Sequence, residues 1–115
     1  MKIPEKVRIG GRDYEIRHTE NLNDGVNLAY GHIDYEQGVL RIMKGLGHEK
    51  ACITLWHEML HGVIEHFGLK IENEEEAVCV LAKGIYELMA DNGEKLYDII
   101  SEEKIKMLYE RLKNA

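Results

Sequence analysis

Two histidines four residues apart, with a glutamate beside the first, constrain this chain more than any other feature. They lie in the run His57-Glu58-Met59-Leu60-His61. On an α-helix, residues i and i+4 stand one turn apart on one face, so both rings can converge on a single metal ion. The pattern therefore demands a helix, and the flanking residues supply one. Ile53, Leu60, Ile64 and Phe67 recur at helical spacing, Trp56 and Val63 widen the stripe, and Gly68 follows as a stop. A helix is predicted over residues 49–67, with the two histidines flanking its apolar stripe. Histidine and glutamate are common on solvated helix faces, but a chance match seldom falls inside an amphipathic helix.

Each position of the motif has a chemical reason. His57 and His61 are the expected ligands of one zinc ion per chain, and Glu58 can reach a water on that ion. Zinc lowers the pKa of such a water to roughly 7. The expected chemistry is hydrolysis of a peptide bond by zinc-bound water, with Glu58 as general base. The substrate would be a peptide or protein.

A catalytic zinc takes three protein ligands and keeps one position open. The extension HExxHxxGxxH does not supply the third, because positions 64 and 67 hold Ile64 and Phe67, and His66 is out of register by one. His66 reads as a solvent-facing histidine or one of the C-terminal turn, which the helix dipole favours. The remaining source is a glutamate of the following helix, and Glu72, Glu74, Glu75 and Glu76 cluster where that helix begins. Acidic residues favour the first turn of any helix, so the cluster alone is ambiguous. Glu75 shares a face with Val78, Ala82 and Met89 and is the expected third ligand. Glu74 is the alternative, through Ala77 and Leu81. Glu76, three residues after Asn73, reads as the partner in a capping box.

At 115 residues the chain is expected to form a single domain, residues 1–115. Its net charge is −6 and its basic residues form no block, which argues against a nucleic-acid partner. No apolar run reaches the length of a membrane span, and residues 1–11 lack the apolar core of a signal peptide, so a cytoplasmic location is expected. Cys52 and Cys79 match no zinc-finger spacing and read as buried free thiols.

Residues 6–18 read as a β-hairpin turning at Gly10-Gly11. A polar loop covers 19–27, and a second hairpin turns at Glu36-Gln37-Gly38 and returns through Val39 to Met43. Leu28, Tyr30 and His32 would share one face of its first strand, and Ala29, Gly31, Ile33 and Tyr35 the other. The segment 6–43 thus predicts a small antiparallel sheet of three to four strands. After the motif helix comes a glutamate helix over 74–91, with Val78, Leu81, Ala82, Ile85 and Met89 buried and Asn92-Gly93 ending it. A C-terminal helical segment follows over 94–113, broken near Ser101. Its apolar side would be Leu96, Ile99, Ile100, Ile105, Leu108 and Leu112. Strands first and helices after make an α+β domain. Gly84 inside the glutamate helix is expected to allow close packing on the motif helix.

This order of elements resembles the compact zincins of the gluzincin kind: the minigluzincins, the small HExxH proteins of phages and prophages, and the ImmA/IrrE-type metallopeptidases. The stretch Glu75-Glu76-Ala77-Val78-Cys79-Val80-Leu81-Ala82 is similar to their E-x-x-[AV]-x-x-[LF]-A glutamate helix. The resemblance covers about residues 6–92, and HExxH is its specific part. It implies His57, His61 and Glu75 as zinc ligands and Glu58 as general base and acid. Some gluzincins carry an acidic residue four positions after the ligand glutamate, to orient a ligand histidine. Cys79 stands there instead, so orientation must come from elsewhere. Cys79 reads as a structural thiol, with approach to the metal as the alternative.

Zincins also steady the oxyanion of the tetrahedral intermediate, for which Tyr30, His32, Tyr86 and Tyr97 are available and none is selected. An extended substrate is expected to add to a sheet edge, with the Val39–Met43 strand as that edge. The rival reading is a latent or non-catalytic zinc-binding regulatory or interaction module of the same fold. The segment 94–115 would cover its cleft. A purely structural zinc site would have no use for Glu58.

Overall fold

The computed structural model describes residues 2–22 and 29–113, apart from the side chains at 97, 100–102, 104, 105 and 109. Four strands precede two helices: β1 (Lys6–Ile9), β2 (Arg12–Thr19), β3 (Gly31–Asp34), β4 (Val39–Met43), α1 (His48–Phe67) and α2 (Glu74–Lys113). The α+β class and the four strands agree with the sequence reading.

Gly10 and Gly11 make the first turn with φ of 58° and 81°, and β1 pairs antiparallel with β2 as expected. The sheet as a whole is not the expected antiparallel meander. Its order is β1-β2-β4-β3, with β4 parallel to β2 and antiparallel to β3. The reason lies in burial. Strand β4 is the most apolar, and its Leu40 and Ile42 are fully buried. Burial on this scale needs neighbours on both sides, so β4 takes an inner place. The less apolar Gly31-His32-Ile33-Asp34 is left at the edge. Among the described residues the edge strands are therefore β1 and β3, not the expected Val39–Met43 strand. Leu28, assigned to a face of that strand, and the loop tip at 23–28 lie outside the described residues.

Helix α1 covers the sheet, touching β1, β3 and β4. Its C-terminus ends in a Schellman motif: Gly68 at φ 65° donates to the Glu65 carbonyl and Leu69 to that of Ile64. The stop at Gly68 thus matches the sequence reading. The buried face matches only in part: Ile64 is buried as expected, and Ile53, Trp56 and Leu60 are half-buried. Ala51, Leu55, Glu58 and Gly62 face the sheet, whereas Phe67 is 75 % exposed and Val63 is also exposed. The stripe drawn through Leu60 and Phe67 is rotated away from the true core. Gly62 explains the rotation, since a Cβ there would lie 2.9 Å from Ile9 Cδ1 and 3.1 Å from Ile33 Cδ1. A bare backbone lets the helix settle onto the sheet along that line.

Helix α2 packs on α1 and on no strand among the described residues. Val78 and Ala82 are fully buried in that contact, but Leu81 is exposed, contrary to expectation. Three further corrections concern this helix. It does not begin with a capping box, because Asn73 has φ 56°, outside the extended conformation that box requires. It does not end at Asn92-Gly93 or break at Ser101; the predicted 74–91 and 94–113 segments are one 40-residue helix. Asn92 donates its side-chain amide to the Leu88 carbonyl, a bond made within the helix, and Gly93 does not take positive φ. Finally, Gly84 makes no close approach, as a Cβ there would meet nothing within 4 Å. Ile99, Leu108 and Leu112 are exposed, while Ile100, Ser101 and Ile105 lie outside the described side chains.

Candidate metal centre

The two helices form an antiparallel pair, so the first turn of α2 faces the C-terminal half of α1. Full burial of Val78 and Ala82 fixes the rotation of α2 and turns Glu75 and Cys79 toward the motif. The result is a compact constellation. His57 Nε2 and His61 Nε2 are 3.2 Å apart. Glu75 straddles them, with Oε1 2.8 Å from His57 Nε2 and Oε2 2.8 Å from His61 Nε2. Cys79 Sγ lies 3.8 Å from Glu75 Oε1 and 3.9 Å from His57 Nδ1.

These donors fit a metal ion. Ligand nitrogens at about 2.0–2.1 Å from a tetrahedral ion are roughly 3.3 Å from each other, close to the separation of the two Nε2 atoms. His57, Glu75 and Cys79 form a group that could hold such an ion, their ligand atoms all within 4.8 Å of one another. His61 Nε2 lies outside that group but is 3.2 Å from His57 Nε2 and 2.8 Å from Glu75 Oε2. Of the two glutamates weighed from the sequence, Glu75 reaches both Nε2 atoms. Glu74 instead turns to the back of His61, with Oε2 2.6 Å from Nδ1. A carboxylate thus orients the His61 ring, from a residue that sequence reading offered only as a rival ligand. A carboxylate one residue before Glu75 was the available signal.

Glu58 stands apart from this cluster. It is 7 % exposed, its Oε2 is 4.0 Å from His57 Nε2, and it faces the edge strand. Gly31 makes that approach possible, since a Cβ there would lie 2.6 Å from Thr54 Cγ2 and 3.0 Å from Glu58 Cγ. Burial pushes the Glu58 carboxyl up to about 7, with His61 pulling it down and Glu75 pushing it further up. Burial also lowers His57, against the pull of Glu75. For His61 burial acts downward as well, but its hydrogen bonds to Glu74 and Glu75 win and the net shift is upward.

A cleft of about 970 Å³ opens beside these groups, between the start of β3, α1 and α2. His57, Glu58, Glu75 and Cys79 all line it. Of the four oxyanion candidates, Tyr30 lines it, with Lys50 Nζ 3.9 Å over its ring. His32 and Tyr86 do not, and Tyr97 lies outside the described side chains. His48 also lines the cleft and holds Nε2 3.5 Å from Cys52 Sγ. The described lining residues stop at Lys83, so none comes from the segment proposed to cover the cleft. Cys79 is half-buried rather than a core thiol, whereas Cys52 is fully buried. His66, read as solvent-facing, is exposed but packs its ring against the Gly10 turn, where a Cβ would collide with it. No described helix is long and apolar enough to cross a membrane. Comparisons with protein-family models, with known proteins and with solved structures gave no match.

Proposed function

We propose that this chain is a small zinc-dependent metallopeptidase of the gluzincin-like kind suggested by its motifs. One observation carries the reading: two Nε2 atoms and one carboxylate converge, while a separate, buried carboxylate stands beside them at the cleft. A structural site needs the first group; only a reacting site needs the second.

His57, His61 and Glu75 would hold the zinc. When bound, zinc supplies a Lewis acid that acidifies water and polarises a carbonyl. Glu58 then has the work of a proton carrier. Its place beside His57 at the cleft lets it accept a proton from attacking water and return it to a departing amine. Glu74 holds the His61 ring by Nδ1, so that Nε2 stays directed at the metal position. Substrate would run extended along β3, whose outer edge has no paired strand among the described residues, and add one strand by main-chain hydrogen bonds. Tyr30, at the start of that strand, is the candidate donor to a developing oxyanion.

A second reading keeps the zinc and gives up the hydrolysis, making the domain a regulatory or interaction module. The observation in its favour is Cys79, a further donor beside Glu75 that a catalytic site does not need. Incubation of the zinc-loaded protein with a peptide library separates the two. Cleavage that disappears in Glu58→Gln, with zinc retained, supports the peptidase. No cleavage of any peptide by the zinc-loaded chain or by its zinc-loaded Cys79→Ser variant would overturn it in favour of the module.

A further inference from the structure

The constellation holds one donor more than an open catalytic zinc requires. Glu75 divides its two oxygens: Oε2 goes to His61, while Oε1 faces both His57 and Cys79. Cys79 stands one helical turn after Glu75, on the face that the buried Val78 and Ala82 hold against α1. It also lines the cleft, on the same side as the reacting groups.

We propose that Cys79 is a fourth protein ligand in the resting state of the site, so that its thiolate occupies the position where water or substrate would enter. This rests on the metal-site reading above and adds its regulation. The distances decide its plausibility. A sulfur at about 2.3 Å and an oxygen at about 2.0–2.2 Å from a tetrahedral ion are roughly 3.5 Å apart. Cys79 Sγ is 3.8 Å from Glu75 Oε1, to which its S–H donates a weak hydrogen bond, and it shares with His57 and Glu75 a group whose ligand atoms all lie within 4.8 Å of one another, so a shift of the sulfur from the Nδ1 side of His57 toward Nε2 would bring it into the ligand shell. The thiol releases its proton to solvent on binding, as metal-bound cysteines do. Two histidines, a carboxylate and a thiolate close a tetrahedral site. Displacement of the sulfur reopens it, which makes the domain latent until substrate or a thiol reagent takes the thiolate away.

The opposing account makes Cys79 only a weak hydrogen-bond partner of His57 Nδ1, at 3.9 Å. Cobalt(II) titration of the full chain distinguishes the two without any activity measurement. The wild type should show visible bands of tetrahedral cobalt together with a near-ultraviolet sulfur-to-cobalt charge-transfer band. Cys79→Ser should lose the near-ultraviolet band and keep the visible ones. Zinc should also slow alkylation of Cys79 in the wild type by about tenfold or more, because the free thiolate is the nucleophile. Visible bands with no charge-transfer band in the wild type would overturn the proposal and leave the metal site standing. A charge-transfer band that survives in Cys79→Ser would overturn it too, the sulfur then being that of Cys52. Absence of any visible band would remove the metal site itself, and the proposal with it.

Discussion

Glu74 grips His61 from behind: its Oε2 lies 2.6 Å from Nδ1, while Nε2 of the same ring faces Glu75 at 2.8 Å. Adjacent residues of one helix thus contact the two nitrogens of one imidazole. The first contact fixes the tautomer with the proton on Nδ1 and frees Nε2 for a metal. Glu74→Ala should therefore weaken zinc binding by about 10- to 100-fold, the usual cost of losing an outer partner of a ligand histidine. Glu75→Ala should weaken it more, and Glu74→Gln less than Glu74→Ala, since an amide oxygen can still accept from Nδ1. Competitive zinc titration of the three variants checks the order. Unchanged affinity in Glu74→Ala would show that the His61 ring is held by its packing alone.

The raised carboxyl of Glu58 has a stability consequence in the metal-free protein. A carboxyl lifted from 4.5 to about 7 by burial favours its protonated form in the fold. Its contribution to stability is complete below the unfolded value of 4.5 and is lost as the pH rises through about 7. At about 1.4 kcal/mol per unit, the loss is at most roughly 3–4 kcal/mol across that window. Glu58→Gln is neutral throughout and should escape it. Denaturant unfolding of chelator-treated protein at pH 5 and pH 8 should show the wild type losing more stability than the variant. Equal losses would mean that Glu58 is ionised in the fold.

Gly31 is where the edge strand meets the motif helix. A methyl group there would lie 2.6 Å from Thr54 Cγ2 and 3.0 Å from Glu58 Cγ, and the Thr54 methyl sits on a short β-branched side chain that cannot swing away. Gly31→Ala should cost about 1–3 kcal/mol through overpacking. It should also displace Glu58, so that the proposed peptide hydrolysis falls by more than stability does. Thr54→Ser removes the nearest methyl and should partly rescue both. Thermal melts and cleavage rates of the single and double variants measure it.

The sequence carried the site further than it carried the sheet. His57, Glu58 and His61 are local: a spacing of four on one helix determines which side chains meet, whatever the helix packs against. Glu75 was legible because Val78 and Ala82 mark the same face, and that face is buried. The order of the strands was not legible. It depends on a pairing between β2 and β4 across the segment 20–38, and period-two patterns record faces rather than neighbours. The apolar stripe of α1 misled for a related reason. Hydropathy marks Phe67 and Val63 as core, but the close approach at Gly62 turns the helix so that Glu58 faces the sheet. A glycine and a glutamate on the buried stripe are the residues a hydropathy count discards. Asn92-Gly93 misled because a good stop signal acts only where the chain takes positive φ, and here it stays helical.

That continuity sets the last expectation, in which helix propensity and packing act in opposite directions. Gly84 and Gly93 lie inside α2, and a Cβ at either would meet nothing within 4 Å. Replacing each with Ala should gain close to the full difference in helix propensity, about 1 kcal/mol. Gly62 offers the same gain in α1, but its Cβ would press on Ile9 Cδ1 at 2.9 Å and Ile33 Cδ1 at 3.1 Å. Overpacking of that kind costs about 1–3 kcal/mol and should outweigh the gain. Gly84→Ala and Gly93→Ala should therefore raise the melting temperature or the helical circular dichroism signal, and Gly62→Ala should lower the former. Gly93→Ala is the sharpest of the three. If residues 74–91 and 94–113 were separate helices joined at a left-handed glycine, alanine there would be strained and the helical signal would fall.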